Sequence, residues 1–346
     1  MVPRLDGSYL VLETTNTCSL KCGHCAVADP ENPHHASPGF LPLALAEALF
    51  ADLAEVGARF GALIPFWLGE PLVHPEFAAL YQLALRAAGE HGTFGQIEVH
   101  TNATHLDDKR VRVALNASPV RQVWHLTLDA VTRETHLRVK GRDRFEEVER
   151  NVEGFLRARA RTGARWPRPV LQFVVREDNA HEAAAFRARW ERVTGPMRAA
   201  AQEVPAGDDP VVFYRQLDAP TPEAQARANR VFRETMASIG VPLSKPASSP
   251  ETVRAEPGTC ACFWKSPVVG WDGRVTTCTR DNRLENALGS LHERRFSELW
   301  WGPVMAARRR RVAKGDYTGL AACAGCFVPQ SANTTDITPA EIAAHA

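Results

Sequence analysis

The sequence predicts an α/β fold, a partial (β/α)6 barrel of the TIM type with a small C-terminal domain. Three observations predict it. Strand-like and helix-like segments alternate about six times over residues 9–217, which is the pattern of parallel βα units. A polar motif follows most of the strand-like segments, and this end of a parallel barrel carries the chemistry. The eight cysteines divide into three near the N-terminus and five after residue 259, which indicates two separate thiol-rich sites.

The strand–helix repeats can be followed in order along the chain. The predicted strands are short apolar or β-branched runs, and they lie at residues 9–13, 62–68, 96–100, 122–128, 169–175 and 211–217. The predicted helices place apolar residues at helical spacing, and they lie at residues 41–57, 75–90, 144–160 and 181–193, with a shorter one after the third strand. Gly57 is a natural stop for the first helix.

Beyond the barrel the composition of the chain changes. A polar-faced helix at 221–240 leads out of it, and residues 242–257 are rich in Pro, Ser and Ala, as linkers are. We therefore expect a barrel domain at 1–220, a helix and linker at 221–257, a C-terminal domain at 258–330 and a tail at 331–346.

Overall composition narrows the class of protein. The 346 residues suffice for one large and one smaller domain, each with its own core. The formal net charge of +1 gives no global field that favours nucleic acid or an anionic membrane. No signal-peptide core and no apolar run of about 18 residues occurs. We expect a cytoplasmic protein without nucleic-acid or membrane partners, whose cysteines are metal ligands rather than disulfides.

The first cysteine group has a spacing that suits an iron–sulfur cluster. Cys18, Cys22 and Cys25 form a C-x3-C-x2-C loop directly after the first predicted strand. Three thiolates on one loop leave one iron of such a cluster open. A closed zinc site would need a fourth ligand nearby, and the next cysteine is Cys260.

This loop resembles the cluster loop of radical S-adenosylmethionine (radical SAM) enzymes. The match extends to Glu13-x-Thr15-Asn16 before the cysteines, and His24 occupies the aromatic position before the last one. The resemblance implies that Cys18, Cys22 and Cys25 hold a 4Fe–4S cluster whose open iron binds SAM. It also implies that SAM is cleaved to a 5′-deoxyadenosyl radical, which takes a hydrogen atom from an unactivated carbon of the substrate.

Further motifs at predicted strand ends extend the resemblance to the SAM site. Gly69-Glu70-Pro71 resembles the segment that binds the amino group of SAM, although Leu68 replaces the first glycine of that pattern. Asn102 follows the third strand, and Thr127 and Asp129 follow the fourth, where the family contacts the ribose or carboxylate of SAM. The family also places a cation soon afterwards, and Arg138 and Lys140 both fit that position. The implied cofactor-binding residues are Gly69, Glu70, Pro71, Asn102, Thr127, Asp129, Arg138 and Lys140.

The second cysteine group lies around a predicted hairpin. Asp272-Gly273 between two strand-like runs is a strong hairpin signal, and it brings Cys278 back towards Cys260 and Cys262. A C-x2-C pair, Cys323 and Cys326, follows later. Spacing alone leaves open whether these thiols hold zinc or a second iron–sulfur cluster.

The context of this group resembles the SPASM or twitch extension of radical SAM enzymes, which binds auxiliary 4Fe–4S clusters. The shared features are the Ser-Pro-Val-Val-x-Trp-Asp-Gly hairpin, Asp281, the Phe-Ser-Glu-Leu-Trp segment and the final C-x2-C. The cysteine count allows one auxiliary cluster. The resembling pattern has seventeen residues between its first two cysteines, which assigns the cluster to Cys260, Cys278, Cys323 and Cys326.

Several residues remain outside these two patterns. Cys262 is either a small buried residue beside the cluster or a hydrogen-atom donor to a substrate radical. Tyr214 and Arg215 on the last predicted strand are candidates for deprotonating or orienting the substrate. His100 and His125 lie on barrel strands, where a core role is the simpler interpretation, and the cations at 308–311 fit a solvated helix face.

The reaction that these features favour is oxidation of an alcohol carbon in a small polar metabolite of sugar or aminocyclitol type, with the auxiliary cluster as electron acceptor. Epimerisation with a cysteine donor and modification of a ribosomal peptide are alternatives. A small molecule is preferred because the cysteine loop begins close to the first residue of the sequence. A zinc-binding interaction module is the non-enzymatic alternative. The resemblance also implies an electron donor such as flavodoxin or ferredoxin.

Overall fold

A computed structural model describes residues 8–116, 118–244, 259–327 and 337–343. Within them the strands in chain order are β1 (Tyr9–Leu12), β2 (Ala62–Ile64), β3 (Ile97–Thr101), β4 (Gln122–Thr127), β5 (Arg168–Val175), β6 (Arg198–Ala201), β7 (Val211–Gln216), β8 (Val268–Val269), β9 (Arg274–Thr276) and β10 (Gly289–Ser290). The helices are α1 (Leu43–Glu55), α2 (Phe77–His91), α3 (Asp108–Ala114), α4 (Arg133–Lys140), α5 (Phe145–Thr162), α6 (Ala183–Thr194), α7 (Pro222–Ser238), α8 (Cys262–Lys265), α9 (Phe296–Trp300), α10 (Pro303–Val312) and α11 (Pro339–Ala343).

The chain separates into two compact units, and the boundary runs through β3. The first unit comprises Met1–Thr17, Asp29–Glu98 and Glu251–Ala346, and the second comprises Cys18–Ala28 and Val99–Pro250. The cysteine groups that the sequence distinguishes therefore fall in different units. Cys18, Cys22 and Cys25 belong to the second unit, whereas the five C-terminal cysteines belong to the first.

The sheet of the first unit is built from both ends of the chain. Its strand order is β10-β9-β8-β1-β2-β3. β1 pairs in parallel with β2 on one side and with β8 on the other, so that Val11 lies opposite both Ile64 and Val268. β8 and β9 form the antiparallel hairpin that Asp272-Gly273 predicted. The hairpin thus extends the barrel sheet at the open edge of β1.

The second unit contains parallel strands in the order β4-β5-β7-β6. Alternation along each strand sends one set of side chains towards the helices. On that set, Trp124 stacks on Phe155 of α5 and Phe173 packs against Phe186 of α6. Their chain neighbours His125 and Gln172 therefore point to the opposite face, away from the helices.

The observed architecture confirms the predicted α/β fold, a partial (β/α)6 barrel with a small C-terminal domain. Within the described part of the barrel, α4 and β6 escaped prediction. The sequence of α4 is too polar to show an apolar stripe, and β6 reads Arg-Ala-Ala-Ala, which favours a helix. The predicted helix at 221–240 corresponds to α7, whereas linker residues 245–257 and most of the predicted tail lie outside the described residues, so the domain bounds stay a prediction. No described helix has the length and apolar character to cross a membrane.

Candidate iron–sulfur and cofactor sites

Asn16 anchors the chain just before the first cysteine loop. Its side-chain Nδ2 donates to the carbonyls of His34 and Ser37 at 2.8 and 2.9 Å, and its Oδ1 accepts from the amide of Gly39 at 2.9 Å. The side chain is almost fully buried. These three bonds hold the strand end in one conformation, which fixes the direction in which the chain enters the loop.

The predicted SAM amino-group segment packs against the same strand end. A Cβ added at Gly69 would lie 1.9 Å from the Thr15 carbonyl oxygen and 2.9 Å from that of Thr17, so only glycine fits this close approach. The amide of Glu70 donates to the Thr17 carbonyl at 2.8 Å. The segment Gly69-Glu70-Pro71 therefore packs closely on Thr15 and Thr17.

Glu70 is buried, and one of its carboxylate oxygens caps the following turn. Its Oε1 accepts from the amide of Leu72 at 3.1 Å, at the start of a short 3-10 helix, Pro71–Val73. A carboxylate is the kind of acceptor that binds an ammonium group through charge-assisted hydrogen bonds. A role for Glu70 in binding SAM stays a prediction.

The cysteine loop itself is held by elements of the second unit. The amide of Lys21 donates to the Lys140 carbonyl at 3.0 Å, and a Cβ added at Gly141 would lie 2.2 Å from the Lys21 carbonyl oxygen. Asn102 donates from Nδ2 to Cys18 Sγ at 3.6 Å and to Ser19 Oγ at 3.2 Å. The end of α4 and the residue after β3 therefore support the loop, and Asn102 contacts a predicted cluster ligand directly.

A buried cation lies beside these thiols. Burial raises the pKa values of Cys22 and Cys25, and the charge of Lys140 opposes both shifts. Lys140 is only 2% exposed, and its Nζ donates to Asp129 Oδ2 at 2.6 Å and to the Thr127 carbonyl at 2.9 Å. The structure thus brings together Thr127, Asp129 and Lys140, three of the residues that the sequence assigned to the SAM site.

Arg138, the alternative to Lys140, lies elsewhere. Its guanidinium donates to the Asp178 carbonyl and to Thr135 Oγ1, both at 2.9 Å, and the side chain is exposed. Which of the two cations holds the carboxylate of SAM stays a prediction. Lys140 is in electrostatic contact with the thiols of Cys22 and Cys18.

Sequence reasoning missed a second cation at this loop. Arg176, directly after β5, bonds from Nη1 to Nδ1 of His24 at 2.6 Å and pairs with Asp178. Its charge opposes the burial that raises the pKa of Cys22. The available signal was its position at a strand end, where the other motifs lie, but no spacing rule links residue 176 to residue 24.

The two candidates on β7 face opposite ways. Tyr214 is fully buried, its hydroxyl donates to the Ala183 carbonyl of α6 at 2.7 Å, and burial raises its pKa. It packs on the helix side, so we leave it out of the proposed chemistry. Arg215 is exposed on the other side of the strand, where its charge reaches His125.

The five C-terminal cysteines converge although they come from distant segments. Burial, followed by the effects of Cys260, Cys278 and Cys326, raises the pKa of Cys323 to about 12. These mutual effects require the four thiols to lie close together. The structure therefore assembles the four residues that the resemblance assigned to the auxiliary cluster, although their role as ligands stays a prediction.

Cys262 belongs to the same group of thiols. Its Sγ is hydrogen-bonded with Cys260 and Cys278, and these bonds together with burial raise its pKa well above the ordinary range. The same contact lowers the pKa of Cys278. Cys262 begins α8 and is therefore a neighbour of the predicted ligands, not a remote residue.

Polar groups surround this second site as an outer shell. Asn286 donates from Nδ2 to Cys323 Sγ at 3.3 Å, and the amide of Arg280 donates to Cys278 Sγ at 3.4 Å. Asp281 holds the intervening turn, because its carboxylate accepts from Thr276 Oγ1 at 2.5 Å and from the amide of Asn286 at 3.0 Å. Such donors are the usual second shell of thiolate-bound iron.

The donor sets fit iron–sulfur clusters at both places. The first has three thiols, a buried lysine to compensate thiolate charge, and an amide donor to sulfur. The second has enough converging thiols to complete one cluster, with two N–H donors to sulfur.

Comparison with known proteins agrees with both halves of this picture. Residues 12–165 match the model of the radical SAM superfamily, and residues 260–327 match that of the SPASM iron–sulfur cluster-binding domain. A GTP 3′,8-cyclase from Chlorobaculum tepidum is 29% identical over 151 residues, which are 43% of this chain and 41% of that protein. The match therefore spans less than half the length of this curated relative.

Solved structures share the fold at low sequence identity. BtrN in complex with AdoMet and 2-DOIA has 15% identity and a TM-score of 0.50, covering 91% of this chain and 89% of that one. Streptococcus suis SuiB bound to precursor peptide SuiA has 14% identity and a TM-score of 0.55, covering 86% and 65%. Native anSMEcpe with bound AdoMet and Cp18Cys peptide has 16% identity and a TM-score of 0.54, covering 93% and 87%.

The chain therefore carries a radical SAM domain at residues 12–165. More particularly, this domain is combined with a SPASM-type iron–sulfur cluster-binding domain at residues 260–327, which is the combination of a radical SAM enzyme with a C-terminal SPASM domain. These matches confirm the cofactors predicted from the sequence, 4Fe–4S clusters and SAM.

Proposed function

We propose that this enzyme oxidises an alcohol carbon of a small polar metabolite, of sugar or aminocyclitol type, to a carbonyl. The observation that carries the proposal is the convergence of Cys260, Cys278, Cys323 and Cys326, because four thiols leave a cluster no open iron for substrate. When bound, the first cluster and SAM supply a radical that removes a hydrogen atom from carbon, and the second cluster supplies an electron acceptor.

The protein's own contribution is to hold and orient the groups. Cys18, Cys22 and Cys25 would hold the first cluster, and Lys140 compensates thiolate charge beside it. Glu70, Thr127 and Asp129 would orient SAM. An external one-electron donor such as flavodoxin or ferredoxin completes the set of partners.

The choice of a small polar substrate is supported by the face of the second unit that points away from its helices. The side chains on that face include His125, Gln172 and Arg215, which offer hydrogen bonds and charge beside the apolar ring of Phe213. Hydroxyl and amino groups of a sugar or cyclitol match such donors and acceptors.

The test is anaerobic turnover of the reconstituted enzyme with SAM, dithionite and a panel of sugars, cyclitols and aminocyclitols that includes 2-DOIA. We expect 5′-deoxyadenosine and a product two mass units lighter than the substrate, in equal amounts. The double variant Cys278→Ser/Cys323→Ser should retain 5′-deoxyadenosine formation but lose the oxidised product. Full oxidation by that variant would contradict the assignment of the acceptor.

Epimerisation is the second candidate, and one observation favours it. The Sγ of Cys262 lies beside those of Cys260 and Cys278, and the resemblance does not use it as a ligand, which leaves one thiol at the second site as a candidate hydrogen-atom donor. In deuterated water an epimerase would give a product of unchanged composition with one solvent deuterium, and Cys262→Ala would remove that product. Oxidation by Cys262→Ala at the wild-type rate would exclude the donor role. Peptide modification would appear instead as turnover of peptides but of no compound in the panel.

A further inference from the structure

Two histidines on neighbouring barrel strands form a stacked pair that the proposed function has not used. The rings of His100 on β3 and His125 on β4 are parallel within 3°, with their centroids 4.2 Å apart. Phe213 on β7 meets the ring of His125 edge-on at 6.3 Å. His125 is 6% exposed and His100 is half-buried, so His100 is the more accessible ring of the two.

A short hydrogen-bonded chain joins this pair to the predicted SAM residues. Gln172 on β5 accepts at Oε1 from Nδ1 of His125 at 3.3 Å, and its Nε2 donates to Thr127 Oγ1 at 3.1 Å. The Thr127 carbonyl in turn accepts from Nζ of Lys140 at 2.9 Å. The histidine pair is therefore built onto the same strand ends as the residues assigned to SAM, within one unit.

The chain also assigns the tautomer of His125. Because the amide nitrogen of Gln172 is used by Thr127, its oxygen faces His125, which must carry its proton on Nδ1. The lone pair of the neutral ring then lies on Nε2. A core histidine needs no such arrangement, since a buried imidazole is satisfied by any backbone partner.

The electrostatic surroundings keep His125 neutral. Burial lowers the pKa of His125 well below the ordinary range, and the charges of His100, Arg215 and Arg168 lower it further. Two stacked imidazolium rings at this distance would repel each other. The carboxylate of Glu98 on β3 also lies here, because one of its oxygens and one ring nitrogen of each histidine lie within 4.8 Å of one another. His125 is buried, so a substrate proton reaches His100, the more accessible ring, more readily.

Resting on the proposed function, we propose that His100 accepts the hydroxyl proton of the substrate, with His125 as the positioning residue behind it. In this oxidation His100 takes the O–H proton of the substrate on an imidazole nitrogen. The bound cofactors would supply the radical that takes the hydrogen atom from carbon and the cluster that takes the remaining electron, so that the C–O bond becomes a carbonyl. One hydrogen atom, one proton and one electron account for the two-electron oxidation.

Variants test the role through the coupling of radical formation to product. His100→Gln keeps a hydrogen-bonding side chain but accepts no proton, so we expect the ratio of product to 5′-deoxyadenosine to fall about 100-fold. KM should change little, because the amide still binds the hydroxyl. In the wild type, kcat should rise with pH at the acid side as the base loses its proton. This rise should be absent in His100→Gln. His105→Gln, a half-buried histidine of the same unit, is the matched control and should behave as wild type.

A second measurement needs no substrate. Diethyl pyrocarbonate acylates neutral, accessible imidazoles, and peptide mass spectrometry locates the product. In the oxidised holoenzyme we expect His100 to react faster as pH rises and His125 to be protected. His125→Phe, which keeps a stacked ring without Nδ1, should change the apparent pKa of His100.

The outcomes separate the two proposals. Wild-type turnover with an unchanged pH profile in His100→Gln, or a His100 that resists acylation, would overturn the proton-acceptor role while leaving the oxidation intact. The proton-acceptor role would also be overturned, in favour of a metal site, if the wild type contained one zinc ion per chain and His100→Gln lost it. A wild type that oxidises no alcohol in the panel would count against the proposed function itself.

Discussion

The two cysteine sites of this enzyme are built on opposite plans. The first collects three thiols from eight consecutive residues of one loop, and a buried lysine lies beside them. The second collects five thiols from three segments that span residues 260–326, and burial, followed by the neighbouring thiols, raises the pKa of Cys323 there. The thiols of the first site are close in sequence and are predicted to leave one iron position open. Those of the second site are far apart in sequence and are predicted to fill every iron position.

This difference fits the different function predicted for each site. A local loop can leave one iron position for an external ligand, because no other part of the chain has to reach it. A set of ligands gathered from distant segments closes the coordination sphere, which suits electron storage. It also ties those segments together, so loss of the second cluster has a structural consequence that loss of the first lacks.

Removing each site in turn gives the largest expected effect. The triple variant Cys18→Ala/Cys22→Ala/Cys25→Ala should retain about half of the iron and form no 5′-deoxyadenosine, because one of two clusters is lost. Iron and sulfide analysis of anaerobically purified protein measures this. Cys262→Ala should keep the full iron content, and SAM cleavage by the triple variant would refute the assignment of the first site.

The buried charge beside the first site gives the next largest effect. Lys140→Met leaves Asp129, whose side chain is fully buried, without its partner, which should lower the free energy of unfolding by about 3–5 kcal/mol. Urea denaturation followed by circular dichroism measures it. The double variant Lys140→Met/Asp129→Asn should recover much of the loss, whereas exposed Lys109→Met should be neutral. Equal stability of Lys140→Met and wild type would mean that the ion pair does not form.

The segment beside the open site should affect SAM affinity. Glu70→Ala removes a carboxylate predicted to bind the ammonium group, and loss of such a charge-assisted bond weakens binding by roughly 1.5–3 kcal/mol, or about ten- to hundred-fold. Calorimetry with the oxidised enzyme measures it. Exposed Glu76→Ala is the control, and an unchanged affinity with intact clusters would place the ammonium group elsewhere.

The smallest expected effect comes from removing one side-chain amide donor at each cysteine site. Asn286→Leu removes an N–H donor to Cys323 Sγ, and Asn102→Leu removes the longer one to Cys18 Sγ. Hydrogen bonds to sulfur raise the reduction potential of a cluster. We expect each variant to lower the potential of its own cluster only, and more strongly for Asn286, in redox titrations followed by electron paramagnetic resonance. A shift of the wrong cluster would reverse the assignment.

The sequence allowed prediction of most of this molecule wherever the signal was local. Cysteine spacing, strand positions and the Asp-Gly turn each depend on a few adjacent residues. The turn joins β8 and β9 as predicted, whereas β2 ends at Ile64, four residues before the predicted end. The contacts of Arg176 with His24 and of Asn286 with Cys323 join residues that are 152 and 37 positions apart. Pairing over such distances is decided by tertiary packing, which periodicity does not encode.

The same limit explains the histidines. His100 and His125 each look like an ordinary polar residue on a barrel strand, and only the register of β4 against β5 places Gln172 beside His125. Tyr214 is the converse case, because its place on a strand suggested chemistry, yet alternation turns it towards α6. A shift of one residue in either strand would exchange these roles.

The pairing of β1 with β8 has a consequence for biosynthesis. Val11 leaves the ribosome more than two hundred residues before its partner Val268, so β1 is exposed along one edge for most of translation. Unpaired edge strands template aggregation, and pairing over long sequence separations is slow to form. We expect the nascent chain to depend on chaperones until residue 269 has emerged, and truncations that end before β8 to accumulate in inclusion bodies.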